Sequence, residues 1–323
     1  MKISYHISCF FILGLACVSC GPASSPAQNS DQQQKVNSNK KLTQALLLTQ
    51  AEAYSIDDKN RITGDYIARE KIVVPQDLAS QNKWIMFEGP VLENDIIAYR
   101  YYADSRHRFD IYGKRVPDLV MDTVSWDYHN IMDWGSDILK VGNSLGLGSP
   151  AIYYRDSLYT LSNSTEKTIE VIEDGLDKSI IRTTFIGLKI VDQSFDLIQD
   201  WTILAGKPWA EIHLKVIDGK LPAGMHFATG FVKHLDDVTI KKDNTFFYIM
   251  NWGKQTFHDE NMGMAVIAAM DFMPEPVEDD LSHAMVFKNA RHEVKYRFLS
   301  VWEQDLNRVK DEESFEDLVL RSQ

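Results

Sequence analysis

The sequence has 323 residues and a formal net charge of −12 at pH 7. Hydrophobic residues make up 44% of it, which is enough for a large buried core. So acidic a chain is a poor match for the phosphate backbone, and we expect no nucleic-acid partner. A local cluster of basic side chains can still bind an anionic ligand within a negative overall field.

The N-terminus has the pattern of an export signal. Lys2 precedes an uncharged apolar run from Ile7 to Val18, which is too short to span a membrane. The three cysteines, Cys9, Cys17 and Cys20, lie within this run or just after it, so the body has none for a disulfide or a thiolate metal site. The placement resembles a bacterial lipoprotein signal. We predict a signal peptide over residues 1–19 and lipidation at Cys20. Two alternatives are lipidation at Cys17 and a soluble secreted protein.

Residues 20–41 are rich in Ser, Gln, Asn and Pro and cannot bury enough apolar surface to fold. They are predicted to be a disordered tether. The expected location is therefore the periplasm, the outer membrane or the cell surface, with membrane contact only through the lipid anchor. No linker-like composition follows residue 60, so residues 42–323 are predicted to form a single domain.

The elements begin with a predicted helix over "KLTQALLLTQAEAYS". A hairpin follows, in which "KWIMFEG" and "NDIIAYRYYAD" are separated by a turn at Gly89-Pro90. A late hairpin is predicted around Asn289-Ala290-Arg291. The chain closes with a helix over "DEESFEDLVLRSQ", whose acidic residues lie at the end favoured by the helix dipole. Between the hairpins, further strands are predicted over "RFDIYGK", "TIEVIED", "SIIRTTFIGLKIV", "SFDLIQDWTILAG", "WAEIHLKVIDG", "HFATGFVKH", "FFYIMNWGK" and "NMGMAVIAAM".

These strands are close together in sequence, which is typical of an antiparallel sandwich, and several are long for a small domain. We predict a mainly β fold, an antiparallel supersandwich with few short helices.

The run from Tyr128 to Pro150, "YHNIMDWGSDILKVGNSLGLGSP", combines titratable side chains with four glycines. No Gly-Lys-Ser/Thr and no G-x-G-x-x-G pattern is present, so a nucleotide loop is excluded. If residues 128–141 were helical, an apolar face would be opposed by a polar stripe, but Gly135 would make the helix short or irregular. The polar stripe would consist of His129, Asp133, Asp137 and Lys140.

Four segments carry a family resemblance: "FEGPVLENDIIAYRYYAD", "DIYGKRVPDLVMD", "YHNIMDWGSDILKVGNSLGLGS" and "ENMGMAVIAA". In this order, behind a lipoprotein signal, they resemble the DUF4861 family, which is uncharacterised and frequent in Bacteroidetes. The resemblance implies membership of polysaccharide-utilisation gene sets, often beside enzymes for unsaturated uronic-acid sugars. It also implies a supersandwich fold like that of galactose mutarotases and several polysaccharide lyases.

Chemistry on a uronate sugar needs an acid, a base and, for elimination, a positive group at the carboxylate. We predict that His129 is the acid/base group, oriented by Asp133, in the wall of a sugar cleft. Arg100 lies in an otherwise apolar strand and is predicted to hold a substrate carboxylate. The catalytic candidates are His129, Tyr128, His226 and His234, and the substrate-binding candidates are Arg100, Arg108, Asp133, Trp134 and Lys140.

His226 and His234 are an even number of residues apart, so they share one strand face if the strand is unbroken. His129 and Asp133 could place two metal ligands on one helix face, but no H-E-x-x-H pattern or calcium loop is present, and no metal or cofactor is predicted.

Two functions remain open. The first is a lyase-like or epimerase-like enzyme acting on uronic-acid-containing oligosaccharides or polysaccharides, and the second is a non-catalytic glycan-binding lipoprotein. Aromatic side chains could serve as stacking faces for an anionic sugar ligand in either case. These are Trp126, Trp134, Trp201, Trp209 and Trp252.

Overall fold

The computed structural model describes residues 40–50, 55–56, 62–63, 65–76 and 83–323. The predicted signal peptide, its Cys20 and the tether up to residue 39 lie outside these residues. Lys40–Gln323 forms one compact unit. In the described part of the chain, no helix is long and apolar enough to cross a membrane.

The elements are mostly short to medium strands. The strands are β1 (Thr43–Leu46), β2 (Leu48–Gln50), β3 (Ser55–Ile56), β4 (Ile62–Thr63), β5 (Tyr66–Ala68), β6 (Lys71–Val73), β7 (Val91–Asn94), β8 (Ile97–Tyr101), β9 (Phe109–Lys114), β10 (Gly135–Asp137), β11 (Ala151–Tyr154), β12 (Ser157–Thr160), β13 (Glu166–Asp174), β14 (Lys178–Ile190), β15 (Gln193–Leu204), β16 (Trp209–Val216), β17 (His226–Val232), β18 (Thr239–Lys242), β19 (Phe246–Lys254), β20 (Asn261–Ala269), β21 (Pro274–Val277), β22 (Ser282–Phe287) and β23 (Glu293–Trp302). Among the described residues, the helical segments are two 3-10 turns, Met86–Glu88 and Met270–Phe272, and the helix α1 (Glu312–Arg321).

Three sheets contain most of these strands. A nine-stranded sheet has the order β18-β19-β20-β23-β16-β15-β14-β13-β6. One five-stranded sheet has the order β1-β7-β8-β9-β10, and we call it the first small sheet. The second small sheet has the order β12-β11-β17-β22-β21. Strands β2 with β5 and β3 with β4 form two-stranded pairs. The pairings between these named strands are all antiparallel.

One apolar core joins the three sheets. Alternate residues of the nine-stranded sheet, among them Phe185 and Trp201, point to one of its faces because side chains alternate along a strand. Phe109 of the first small sheet and Phe227 of the second belong to the same core. Both small sheets therefore cover the same face of the large sheet. The predicted mainly β, antiparallel sandwich class is confirmed.

Helix α1 packs on the opposite face of the large sheet. Asp311 caps it, because its side chain accepts from Ser314 N at 2.9 Å while Ser314 Oγ reaches back to the Asp311 amide. Phe315 and Val319, one turn apart, are buried against β20 and β23. The predicted closing helix is confirmed.

Two predictions at the start of the domain are wrong. Residues 43–46 and 48–50 form strands instead of a helix, because β1 pairs with β7 and β2 pairs with β5. The first hairpin joins β7 to β8, and its turn lies at Asp95-Ile96 instead of Gly89-Pro90. Asn94 explains this turn, since its side-chain oxygen accepts from the amides of Ile96 and Ile97 at 2.8 and 2.9 Å.

One later prediction is wrong, and the helix considered for residues 128–141 is excluded. The strands β22 and β23 exist, but β22 pairs in the second small sheet and β23 in the large sheet. Asn289-Ala290-Arg291 is therefore a crossover between layers and not a hairpin turn. Residues 128–141 are not helical, because they form turns that lead into β10, which pairs with β9.

Candidate functional site

The polar site is built on the first small sheet, on the face that points away from the sandwich core. Arg100 of β8 and Asp110 of β9 are direct cross-strand neighbours, and Asp137 of β10 is the neighbour of Tyr112 on β9. Strand alternation places all four on the outer face, whereas Tyr99 and Ile111 point into the core. The loops before β7 and β10 cover this face, so the polar residues become buried.

Arg100 is the centre of this site and is 2% exposed. Its Nη2 donates to Asp110 Oδ2 at 2.7 Å, to Asp137 Oδ2 at 3.1 Å and to the Tyr102 hydroxyl at 3.1 Å. Its Nη1 donates to the Phe87 carbonyl at 2.8 Å and to the Tyr128 hydroxyl at 3.1 Å. Its Nε donates to Asp110 Oδ2 at 3.2 Å. We call Arg100, Asp110, Asp137, Tyr102 and Tyr128 the arginine cluster.

This geometry corrects the predicted role of Arg100. Every nitrogen of the guanidinium already has an acceptor inside the protein, and almost none of the side chain is exposed. A buried charge needs such partners, and releasing it to a ligand would leave Asp110 and Asp137 uncompensated. Arg100 therefore organises the site from behind, and in this arrangement its guanidinium has no donor free for a substrate carboxylate.

Asp110 is the most enclosed acid of the cluster. Burial raises its pKa to about 6, and the Asp137 carboxylate adds to this rise, while Arg100 opposes it. Its Oδ2 also accepts from the Tyr102 hydroxyl at 2.9 Å. Burial is likewise the main cause that raises the pKa of Tyr128 to about 12. Tyr128 is 2% exposed, so this catalytic candidate lies behind the surface as a partner of Arg100.

His129 lies in front of the arginine cluster. Its Nδ1 is 3.2 Å from Asp137 Oδ2, and its side chain is 53% exposed. The hydrogen bond to Asp137 is the main cause that raises the pKa of His129, and burial opposes it. Asp133, the predicted orienting carboxylate, is exposed. His129 does lie beside an acid, but that acid is Asp137 and not the predicted Asp133, because β10 directs the Asp137 side chain inward.

A second loop completes the front of the site. The Phe257 amide donates to the Ile138 carbonyl at 2.7 Å, and Leu139 and Thr256 form a β-bridge. The Phe257 ring, 44% exposed, is stacked with the His129 ring at a centroid distance of 5.8 Å and an interplanar angle of 28°.

Three polar groups surround this phenylalanine. Lys140 Nζ is 5.1 Å from the centre of the Phe257 ring. His258 Nε2 is 3.0 Å from Ser136 Oγ, and the His258 ring is 5.3 Å from that of Phe257. His129 is the third group.

The rim beside Arg100 carries a carboxylate on a strained turn. Phe87 and Glu88 have φ values of 59° and 60°, a left-handed conformation that non-glycine residues rarely adopt. Glu88 Oε2 is 3.0 Å from Arg106 Nη2 and 4.0 Å from Arg100 Nη1, and its side chain is 23% exposed. The Arg106 guanidinium lies 3.6 Å from the centre of the Tyr102 ring.

The remaining predicted residues are placed differently. His234 lies beyond the end of β17, and its Nε2 donates to the Lys140 carbonyl at 2.8 Å, next to the site. His226 lies in the second small sheet, where burial, Lys288 and Arg291 lower its pKa. The two histidines therefore do not share a strand, contrary to the prediction.

Two further substrate-binding candidates also lie away from His129. Trp134 is half-buried and packs near the Tyr112 ring, at a centroid distance of 6.3 Å, so it supports the cluster from the side. Arg108 donates to the Gly142 carbonyl at 3.1 Å and lines a cleft of about 280 Å³.

A larger open cleft, of about 960 Å³, lies elsewhere, between β12, β21, β22 and the start of β18. Its lining is acidic, with Asp156, Asp236, Glu278, Asp279 and Asp280. Its one histidine among the described residues, His283, hydrogen bonds to the Leu235 carbonyl. The residues that line this cleft include no histidine paired with a carboxylate. The pair of His129 and Asp137 is therefore the better candidate for an acid/base site.

The described residues contain no group of three or more His, Cys, Asp or Glu side chains arranged to hold a metal ion.

A match to a protein family shows where this chain belongs. Residues 24–322 match DUF4861, a domain of unknown function. The chain belongs to the DUF4861 family. No curated protein matches it.

Solved structures similar to this DUF4861 chain are distant. A protein from the human microbiome, named as a kojibiose phosphorylase, is 9% identical with a TM-score of 0.44, over 78% of this chain and 35% of the other. A protein from Klebsiella pneumoniae, named as an aldose 1-epimerase, is 8% identical with a TM-score of 0.36, over 87% and 95%. The 4-alpha-glucanotransferase of Thermococcus litoralis is 8% identical with a TM-score of 0.33, over 73% and 40%. The chain thus spans about a third of the phosphorylase, and likeness at this level does not bear on activity.

Several site residues of the DUF4861 chain were not predicted from the sequence. Asp110 and Glu88 carry no local signal, since Asp110 is a single acid within a strand and Glu88 a single acid in a short turn. Phe257 and His258 are more than a hundred residues from His129, and contacts of their loop with residues 136–139 bring them there. The adjacent Phe-His pair in a short loop between two strands was the one available signal.

Proposed function

We propose that this chain is a carbohydrate-active enzyme that performs acid/base chemistry on uronic-acid-containing oligosaccharides or polysaccharides. The observation that carries the proposal is the pair formed by His129 and Asp137, 3.2 Å apart, with a half-exposed imidazole in front of a buried carboxylate. Such a pair is a recurring acid/base unit, because the carboxylate fixes one ring nitrogen and leaves the other for the substrate.

His129 uses Nε2 for the proton transfer. Asp137 accepts the hydrogen bond from Nδ1, so the neutral ring has its lone pair at Nε2 and can take a proton from the substrate. Arg100 holds Asp137 in place through Nη2. The raised pKa of His129 brings its protonation closer to neutral pH, where a group that both takes and gives protons is most effective.

Glu88 is the second proton-transfer group of the proposal. Elimination and epimerisation each need one group to remove a proton and another to supply one. Glu88 lies at the Nη1 side of Arg100, whereas Asp137 and His129 lie at the Nη2 side. Its strained turn supports this role, because strained backbone is concentrated at functional sites.

One exposed cation at the front of the site supports an anionic sugar as the ligand. Lys140 is exposed at the front, beside His129, and can approach a carboxylate from solvent. In the elimination, a base removes the proton next to the uronate carboxylate, a C=C bond forms, and the leaving oxygen receives a proton. Epimerisation would use the same two groups to break and re-form a bond at one sugar carbon, and the glycosidic bond would stay intact.

The alternative is a glycan-binding protein without catalysis, and the exposed Phe257 ring is the observation that favours it. The two functions differ in what His129 does. In the enzyme its loss removes turnover, whereas in the binding protein only the contact surface matters.

The test is an incubation of the purified chain with a panel of uronic oligosaccharides and their neutral counterparts. A new C=C bond beside a carboxylate is detected by absorbance, and exchange at a sugar carbon by NMR. We expect His129→Ala to lower turnover at least about 100-fold, the usual scale for a lost general acid or base.

The matched control is His213→Ala, which removes a histidine that also pairs with a carboxylate, Glu293 at 3.0 Å, but on the large sheet, and this variant should keep parental turnover. If the parent converts no member of the panel, or if folded His129→Ala matches it, the enzymatic proposal is wrong.

We also propose that the chain is an exported bacterial lipoprotein, anchored by a lipid on Cys20 in the periplasm or at the cell surface. The apolar run before the cysteine supports this proposal. A variant with serine at both Cys17 and Cys20 should leave the membrane fraction, and its retention there would contradict the anchor.

A further inference from the structure

Phe257 is an unusual residue for the exposed tip of a loop. Its ring is 44% exposed, although burial of a phenylalanine normally stabilises a protein. The other side chains at the tip are polar, since the sequence from residue 255 to residue 260 is "QTFHDE". A single exposed apolar residue does not by itself indicate a binding site, so any function of the ring has to be argued from its surroundings.

The loop that carries Phe257 is held by several hydrogen bonds. The Thr256 hydroxyl oxygen accepts from the Glu260 amide at 2.9 Å and from the His258 amide at 3.2 Å. Glu260 is fixed in turn, because its Oε2 accepts from Trp302 Nε1 at 2.6 Å. With the Phe257 amide bonded to the 136–140 segment, the ring is presented to solvent by a preorganised backbone.

The ring is exposed at the edge of the proposed acid/base pair. It is stacked with His129, and Lys140 Nζ lies 5.1 Å from its centre. An aromatic face carries partial negative charge and attracts the C–H face of a pyranose, which is weakly positive and apolar. A cation and an imidazole beside the ring supply partners for the hydroxyl and carboxylate groups at the sugar edge.

We infer that Phe257 is the stacking platform of a sugar subsite and that Lys140 selects an anionic pyranose there. The inference rests on the proposed function and deepens it, because it assigns the residues that bind the sugar beside His129. It also replaces Trp134 as the stacking residue and Arg100 as the partner of the substrate charge.

The test measures binding, not turnover. Isothermal titration of the full chain uses trigalacturonate as the anionic probe and maltotriose as the neutral one. Phe257→Ala should weaken binding of trigalacturonate at least about tenfold, as expected for a central aromatic contact. Phe257→Tyr keeps the ring face and should stay within about threefold.

Lys140→Gln separates charge from stacking. It should weaken trigalacturonate binding about three- to tenfold and leave the weaker maltotriose binding unchanged, since an exposed charge contributes modestly and is screened by salt. The matched control is Ile172→Ala, which removes an apolar side chain that is 42% exposed on the large sheet.

The outcomes separate this inference from the proposed function. Binding that depends on Phe257 without any turnover keeps the platform and overturns the enzyme. Turnover that depends on His129 with Phe257→Ala binding like the parent overturns the platform alone. If the parent binds neither probe at millimolar concentration, the platform is overturned whatever the turnover result.

Discussion

Replacing Arg100 by methionine tests whether the arginine cluster is a structural clamp. Methionine has a similar length but no charge and no donor, so Asp110 and Asp137 lose their main counter-charge while they stay buried at 1% and 3% side-chain exposure. The hydroxyls of Tyr102 and Tyr128 and the Phe87 carbonyl each lose a donor as well.

The expected cost follows from this burial. Removing one partner from a buried ion pair costs about 3–5 kcal/mol, a large part of a typical unfolding free energy of about 5–15 kcal/mol. For a domain of this size the melting temperature should fall by roughly 10 °C. Urea denaturation followed by circular dichroism measures the loss.

Arg182→Met is the matched control. Arg182 also makes a two-pronged ion pair, at 2.6 and 2.8 Å to Asp200, but the side chains are 38% and 23% exposed. Exposed pairs contribute less than about 1 kcal/mol, so this variant should be nearly as stable as the parent.

The pH dependence gives a second check on Arg100→Met. Arg100 opposes the burial that raises the pKa of Asp110, so its loss should raise that pKa further. The pKa of Asp110 in the folded state is then well above its unfolded value of about 4. Below the unfolded pKa this group costs no stability, and stability is lost as pH rises through the folded-state pKa. The variant should therefore be closer to the parent at pH 4.5 than at pH 8. Equal losses in both arginine variants would refute the clamp, and so would a stable Arg100→Met that only loses affinity for charged sugars.

Three further predictions concern the same region and the core. Asp137→Asn should lower the pKa of His129, measured by NMR titration, because the Asp137 carboxylate is the main cause that raises it; Asp133→Asn should leave it unchanged. Burial lowers the pKa of Lys167 to about 7 from an unfolded value of about 10.4, so we expect the parent to lose stability as pH falls from about 10 to about 7. Lys167→Met should abolish this loss, and a parental pH slope in the variant would contradict the expectation. Gly135→Ala should cost about 3 kcal/mol in urea denaturation, because φ is +141° and the added Cβ would lie 1.8 Å from a carbonyl oxygen of β9; a cost near zero would mean that β10 is not held as described.

The strands of the large sheet were predictable from local sequence. Segments such as "SIIRTTFIGLKIV" and "WAEIHLKVIDG" have β-branched and aromatic residues with alternating burial, and both are strands in the structure. The closing helix was predictable for the same kind of reason, since Asp311 and Ser314 form its cap from neighbouring residues. Local chemistry settles such elements because the residues that stabilise them are close in sequence.

Pairing partners were not predictable in the same way. The segment "TQAL" contains helix formers, yet it is β1 because β7 supplies its hydrogen-bond partners from about 45 to 51 residues away. The strands β22 and β23 were found, but whether they pair with each other depends on the two sheets that receive them.

The site shows the same division. The sequence alone determined that His129 has acids close by and that the glycine-rich run is not a nucleotide loop. Only the tertiary structure decided that Asp137 is the acid that contacts it, that Arg100 is occupied from within, and that Phe257 lies in front. The physical reason is that the charge and burial of these side chains depend on groups brought together by strand pairing, and the composition of a single segment does not contain that information.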